Sequence, residues 1–166
     1  MTAQRAFDEH HQAVYSFACR LTGRPDVAED ITQECFLAFV RAPERYDPSR
    51  GNVKVYLFSI ARNLALKQYR DYRAEQPVED AEDLLTFDPR GSLDVSAAVA
   101  AAVASLPQLQ QEALILFEYE GVTLEEIAQI VCADVGTVKS RLHRARERLR
   151  RILKMYRNVG STHGTI

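Results

Sequence analysis

Apolar residues recur at steps of three and four along most of this chain, the spacing that aligns one face of an α-helix. The clearest run lies in the last third of the sequence and consists of Val135, Val138, Leu142, Ala145, Leu149 and Ile152. The positions between them are mostly Arg and Lys, which have to face water or an anionic partner. The pattern therefore predicts a long amphipathic helix with one core-facing stripe and a basic outer surface.

A shorter helix is predicted directly upstream. Thr123 followed by Glu126 forms a capping box, in which each side chain can satisfy a free backbone N–H of the first helical turn. Its apolar face consists of Ile127, Ala128 and Val131. The break after it ends at Asp134, a suitable N-cap for the long basic helix. The pair predicts a helix-turn-helix, although a solvated basic helix is the alternative interpretation.

The same periodicity predicts further helices and gives no strand or hairpin signal. Their approximate bounds are residues 5–21, 25–41, 54–73, 93–105 and 107–119. The fold class is therefore all-α, with two small helical domains joined by a flexible acidic linker and a helix-turn-helix at the end of the second domain. We place the first domain at residues 1–74, the linker at 75–92, the second domain at 93–157 and a disordered tail at 158–166.

Charge is distributed unevenly along the 166 residues, although the net charge is only −2. Residues 75–94 carry seven carboxylates and one arginine, whereas residues 139–157 are almost purely basic. A protein that binds DNA unaided draws most of its affinity from neutralising phosphates, so a net charge near zero would be surprising for such a protein, and here it is a cancellation between segments. The acidic segment is either an ordinary tether or a segment that imitates nucleic acid in a basic channel.

Several classes of function find no support in the sequence. The chain has no apolar run that could span a bilayer and no signal peptide at Met1, so we expect a cytoplasmic protein without membrane insertion. Three isolated cysteines are expected to be small buried hydrophobic residues, and the neighbouring His10 and His11 to be exposed helix residues. We expect neither a metal nor a cofactor, and no nucleophile stands near a plausible base, so the chain is not predicted to be an enzyme.

Two clusters of side chains suggest binding surfaces. An acidic and amide stripe is expected on the second helix and consists of Asp26, Glu29, Asp30, Gln33 and Glu34. Cationic and aromatic residues alternate on the third helix and its entry loop: Arg50, Lys54, Tyr56, Arg62, Asn63, Lys67, Tyr69, Arg70, Tyr72 and Arg73. A mixture of cationic and aromatic side chains binds single-stranded or distorted nucleic acid. The alternative interpretation of the acidic stripe is a solvated helix face, and the alternative for the aromatic residues of the third helix is a position in the core.

Five segments, in order and spacing, resemble the extracytoplasmic-function (group 4) sigma factors of the sigma-70 family. They are residues 26–37, 56–63, 106–107, 121–128 and 136–146. The resemblance covers nearly the whole chain and implies a specificity subunit of bacterial RNA polymerase, with sigma domains 2 and 4 as the two lobes. It also implies three partners: core RNA polymerase, contacted through the β′ clamp helices and the β subunit; promoter DNA; and an anti-sigma factor.

The resemblance assigns roles to the clusters. It implies that the stripe Asp26, Glu29, Asp30, Gln33 and Glu34 binds core polymerase. It implies that the minus-ten element is bound by Arg50, Lys54, Tyr56, Arg62, Asn63 and Arg70. It implies that the minus-thirty-five element is read by Gly136, Thr137, Lys139, Ser140, His143 and Arg144.

The chain departs from the family pattern at a few positions. Tyr56 stands where the family usually has Trp. Lys67 stands where Asp is common, and Gln111 stands where Arg is common. Cys132 replaces the usual Gly of the turn, so that this residue either avoids a positive φ or adopts one at a cost. The main alternative function is that of a free-standing helix-turn-helix regulator. This function would assign no role to the acidic stripe or to the first lobe.

Overall fold

A computed structural model describes residues 1–75 and 95–161, and the regular elements in these ranges are helical. The first lobe contains α1 (Ala3–Thr22), α2 (Pro25–Arg41) and α3 (Val53–Glu75). The second lobe contains α4 (Val95–Ala104), α5 (Gln108–Leu114), α6 (Leu124–Val131) and α7 (Val135–Ser161). Two 3-10 turns lie between α2 and α3, and a π-helical turn, Ile115–Tyr119, continues α5. The all-α architecture predicted from the sequence is confirmed.

Local signals explain where the helices of the first lobe begin and end. The Thr2 side chain accepts a hydrogen bond from the Arg5 backbone N–H at the start of α1. Gly23 ends that helix in the left-handed conformation, and Pro25 occupies the first turn of α2. Phe17 of α1 and Phe58 of α3 are fully buried, with ring centroids 4.9 Å apart. These two rings lie at the centre of a three-helix core.

The second lobe contains the predicted helix-turn-helix. The Thr123 hydroxyl oxygen accepts from the Glu126 backbone N–H, and an Asp134 carboxylate oxygen accepts from the Thr137 backbone N–H at 2.6 Å. The central part of the predicted stripe, Val138, Leu142 and Ala145, is buried, whereas Val135, Leu149 and Ile152 are half-buried. The outer face of α7 is thereby fixed with respect to the core.

Some details differ from the sequence expectations. Helix α7 continues to Ser161, into the segment for which disorder is expected, because an established helix gains a hydrogen bond with each added residue. His10 and His11 are half-buried, because other helices cover part of α1, and the His11 Nδ1 lies 2.7 Å from the Phe7 carbonyl oxygen. Residues 76–94, which include nearly all of the expected linker, and residues 162–166 lie outside the described ranges.

The three cysteines have different environments. Cys35 is buried as expected, and burial raises the pKa of its thiol to about 12. Cys19 is half-buried. Cys132 is exposed, which corrects the expectation of burial: it ends α6 in the turn, where the backbone is left-handed with φ of 53°. Cys132 is the only non-glycine residue with positive φ in the described ranges, so a strained backbone stands where the family pattern has glycine.

The two lobes contact each other. Helix α3 lies against α6, and α1 lies against the π-helical turn after α5. Most of the buried apolar residues of the two lobes form one continuous cluster. The sequence predicts two domains but gives no sign of this contact, which determines how part of the candidate binding surface is exposed.

Replacing Cys132 with glycine should stabilise the protein, because glycine adopts the left-handed conformation without the steric cost of a Cβ. The expected gain is about 1 kcal/mol, or roughly 2 to 4 °C in melting temperature for a chain of this size. Thermal unfolding followed by circular dichroism measures it. Cys132→Ala is the matched control, since it removes the sulfur but keeps the Cβ; an equal gain in both variants would contradict the backbone explanation.

Candidate nucleic-acid interface

The first turns of α7 present a continuous outer face. Gly136, Lys139, Ser140, His143 and Arg144 are exposed, and Thr137 beside them is half-buried. All six predicted residues of this group thus lie on the accessible side of the second helix of the helix-turn-helix. A hydrogen bond from the Thr137 backbone N–H lowers the pKa of the Asp134 carboxyl, so this N-cap is ionised at neutral pH.

The side chains of this face are suited to contact with the base edges of duplex DNA. Small and hydroxyl-bearing residues stand at the N-terminal end, where the helix can approach base edges closely, and longer cationic side chains follow. His143 Nε2 lies 3.4 Å from a Glu147 carboxylate oxygen on the exposed surface. Arg146 turns away from this face: it forms an ion pair of 2.9 Å with Glu118, and its guanidinium lies 5.3 Å from the Phe117 ring centroid.

The cationic and aromatic residues of α3 do not form one surface. At about 100° per residue, Tyr56, Asn63 and Arg70 lie on one side of the helix, and Lys54 and Arg62 lie about a third of a turn or more away. Asn63 and Arg70 are exposed, and Lys67 and Tyr72 are exposed as well. We call the side of Tyr56, Asn63 and Arg70 the open face of α3.

Tyr56 at the beginning of the open face is half-buried in an aromatic cluster. Its ring centroid lies 5.4 Å from that of Tyr46 and 6.2 Å from that of Phe39. Partial burial raises the pKa of the Tyr56 hydroxyl, which is therefore neutral at physiological pH. Arg50, in the second 3-10 turn, has a side chain that is 88% exposed. The open face thus combines an anchored aromatic ring with accessible amide and cationic groups.

Lys54 and Arg62 contact the second lobe instead. Lys54 Nζ donates to the Glu120 carbonyl oxygen at 3.1 Å. Arg62 makes a bidentate ion pair with Glu112, with Nε 2.9 Å from Oε2 and Nη2 3.0 Å from Oε1. The side chain of Arg62 is 12% exposed and that of Glu112 is 1% exposed. In this arrangement two of the six predicted minus-ten residues are engaged by groups of the second lobe.

A second ion pair borders the same contact. Arg20 Nη1 lies 3.2 Å from Glu120 Oε1, and the guanidinium of Arg20 lies 4.5 Å from the Tyr119 ring centroid. Burial raises the pKa of the Glu120 carboxyl, although Arg20 and Lys54 act to lower it. Gln111 Nε2 also donates to the Arg20 carbonyl oxygen at 3.4 Å.

The acidic stripe on α2 is accessible along its whole length. Asp26, Glu29, Asp30, Gln33 and Glu34 are all exposed. Two of its carboxylates have cationic neighbours, Arg24 at 3.0 Å from Asp26 and Arg41 at 3.7 Å from Glu34, and these pairs are themselves exposed. Exposed pairs of this kind contribute little to stability, so the stripe is free to bind a partner.

Sequence reasoning missed Glu112, Glu120 and Arg20. Their positions fit ordinary helix surfaces, and only the run of apolar residues after Glu112 hints that this carboxylate lies in the core. Their partners are 50 or 100 residues away in sequence, a separation at which no local pattern operates. In the described ranges no group of His, Cys, Asp and Glu could hold a metal ion, and no helix there is long and apolar enough to cross a membrane.

Family models match both lobes. Residues 6–75 match sigma-70 region 2, and residues 96–149 match sigma-70 region 4. An extracytoplasmic-function (ECF) RNA polymerase sigma factor, EcfG of Rhodopseudomonas palustris, is 37% identical over 83% of this chain and 77% of its own length. The ECF sigma factor SigE of Mycolicibacterium smegmatis is 35% identical over 86% of this chain, which spans 58% of that relative.

A solved structure supports the same relationship. The sigma factor RpoE of Bartonella quintana, in complex with the anti-sigma factor NepR, aligns with a TM-score of 0.74. The two chains are 30% identical, and the alignment covers 91% of this chain and 96% of RpoE. The likeness therefore extends over both lobes.

Proposed function

This chain belongs to the extracytoplasmic-function group of sigma-70 RNA polymerase sigma factors, and we propose that its three surfaces divide the tasks of promoter recognition. It is a sigma factor that directs transcription initiation. The observation that supports the division most directly is the separation of an exposed acidic stripe on α2 from two cationic faces, one on α3 and one on α7. Each surface has a charge complementary to that of its proposed partner.

The face of α7 reads the minus-thirty-five element as duplex DNA. Arg144 and Lys139 reach base edges or phosphates in the major groove, while Ser140 and Thr137 can bond to either. Gly136 permits close approach at the start of the helix, and His143 lies on the same exposed side. The capping of α7 by Asp134 holds this face in position.

The open face of α3 binds the minus-ten element after its strands separate. The half-buried ring of Tyr56 offers a stacking surface, Asn63 can bond to a base edge, and Arg70 and Arg50 can bind phosphates. Lys54 and Arg62 lie on other sides of α3 and become accessible to DNA only when the second lobe releases them. Stacking and phosphate contact suit single-stranded DNA, whose bases are accessible.

The acidic stripe docks on core polymerase, at the β′ clamp helices. Four carboxylates and one amide on exposed turns of α2 form an electronegative surface that a basic partner recognises. The second lobe makes the contact with the β subunit. This division of tasks also explains the net charge of −2, because polymerase supplies most of the contacts with DNA phosphates.

An anti-sigma factor is the third partner that we propose, since the similar RpoE of Bartonella quintana forms a complex with NepR. The protein works where core polymerase and promoter DNA are found, in the cytoplasm. A free-standing regulator explains less, because it assigns no role to the acidic stripe and because the family matches cover the first lobe as well as the helix-turn-helix.

Arg144→Ala and Lys139→Ala should each weaken binding of the minus-thirty-five duplex while leaving assembly with core polymerase intact. Loss of a bidentate base contact costs about 1 to 3 kcal/mol and relaxes sequence preference, whereas loss of a phosphate contact costs less and lowers the salt dependence. Fluorescence anisotropy with cognate and scrambled duplexes measures both effects.

Lys154→Ala is the matched control for these variants. It removes one exposed cation from the same helix, about 15 Å beyond Arg144 at roughly 1.5 Å per residue. Equal losses for all three variants would reduce the effect to general charge, and wild-type binding by the Arg144 and Lys139 variants would contradict the assignment of this face.

Reversing Asp30 and Glu34 to Lys should weaken core-polymerase binding more than about a hundredfold, because like charges across an interface cost several kcal/mol. Both side chains are exposed, so helicity and melting temperature should change little. Competition with a second sigma factor for core polymerase measures the affinity. The charge-matched control reverses Asp8 and Glu44, exposed carboxylates of the same lobe outside the stripe, and unchanged affinity in the stripe variant would contradict the docking proposal.

A further inference from the structure

The ion pair between Arg62 and Glu112 joins the two lobes. Arg62 belongs to α3 of the first lobe and Glu112 to α5 of the second, and both side chains are almost fully shielded from water. The pair is bidentate, a geometry that carboxylates and phosphates share when they bind a guanidinium. Glu112 therefore presents to Arg62 the same two-oxygen arrangement that a DNA phosphate would present.

The lobes cannot bind both promoter elements while they touch. By their names the elements lie roughly 25 base pairs apart, or about 85 Å along a duplex at roughly 3.4 Å per base pair. A compact lobe of about 70 residues is roughly 30 Å across, so two lobes in contact span only about 60 Å. In the structure α3 and α6 are in direct contact. Simultaneous recognition thus requires that the lobes separate.

The chain permits such a separation. Residues 76–94 connect α3 to α4, and a segment of that length reaches up to about 60 Å when it is fully extended. The contact itself is mixed, because an apolar cluster continues across it while its polar part includes the pair of Arg62 with Glu112 and the contacts of Glu120 with Arg20 and Lys54. A buried ion pair adds little net stability but penalises any arrangement that leaves one charge unpaired.

We propose that Glu112 is an internal competitor for promoter DNA, which holds Arg62 in a closed arrangement of the lobes that has to open before this sigma factor binds both promoter elements. This proposal rests on the proposed function. The Arg62–Glu112 pair, called the latch below, fixes the closed arrangement, because either partner alone would be a buried charge without a counter-ion. When the lobes separate, the Glu112 carboxylate becomes exposed to water and the Arg62 guanidinium becomes accessible to DNA.

Glu112→Gln tests the latch in the full-length protein. The amide keeps the shape of the side chain but removes the charge, so that closing would bury Arg62 without an anion. Small-angle X-ray scattering of the free protein reports the separation of the lobes. Wild type should have a radius of gyration near the roughly 15 Å of one compact unit of this length, and the variant should exceed it by at least about 3 Å.

A second readout follows Arg62 itself. The probe is a fluorescently labelled oligothymidylate of twelve nucleotides, because competition between a carboxylate and a phosphate does not depend on base sequence. Glu112→Gln should bind this probe about three- to tenfold more tightly than wild type at low salt. Glu9→Gln is the matched control: it removes one carboxylate that pairs with an arginine at 2.8 Å inside the first lobe, and it should leave both readouts unchanged.

Two further measurements distinguish failure of the latch from unfolding of the variant and from failure of the proposed function. If Glu112→Gln unfolds by circular dichroism, Arg20→Gln replaces it, since this variant breaks the interlobe ion pair with Glu120 at a side chain that is 40% exposed. A folded variant with either wild-type scattering or wild-type oligonucleotide binding overturns the latch. Failure of the wild-type chain to bind core polymerase would instead overturn the proposed function, and the scattering result does not depend on polymerase.

Discussion

The rule that a buried charge needs a counter-charge governs how the two halves of this molecule are joined. Glu112 is 1% exposed, and the guanidinium that neutralises it comes from a helix of the other lobe. Because a bidentate pair tolerates little displacement, this contact sets the register of α3 against the second lobe. The same contact decides which side of α3 is open to nucleic acid and which side is covered.

An ion pair of this kind is suited to a reversible contact between domains. Removing two ions from water costs about as much as their attraction returns, so the pair contributes specificity of arrangement more than stability. The apolar cluster that crosses the contact supplies the attraction, and the pair selects one orientation. The candidate promoter-binding residues are consequently split into a set that is always accessible, such as Asn63 and Arg70, and a set that depends on the position of the second lobe.

The sequence predicted the helices and the helix-turn-helix well because their signals are local. Thr123 and Asp134 cap their helices as expected, and α2 begins and ends at the predicted residues because Pro25 fixes its start. The contact between lobes was not predictable, because Arg62 and Glu112 are 50 residues apart and a charged residue on a helix looks the same in water or against another lobe. Cys132 was ambiguous for another reason: only the backbone shows that it adopts the conformation that glycine prefers.

The central claim is that this chain gives core RNA polymerase its choice of start sites through two separate DNA-reading faces. The most direct measurement is to map the 5′ ends of transcripts made by core polymerase on bacterial genomic DNA, with and without the protein. We expect new start sites that share two sequence blocks at a constant spacing, one for the open face of α3 and one for α7. New start sites with only one shared block, or no new sites from a chain that binds core polymerase, would contradict it.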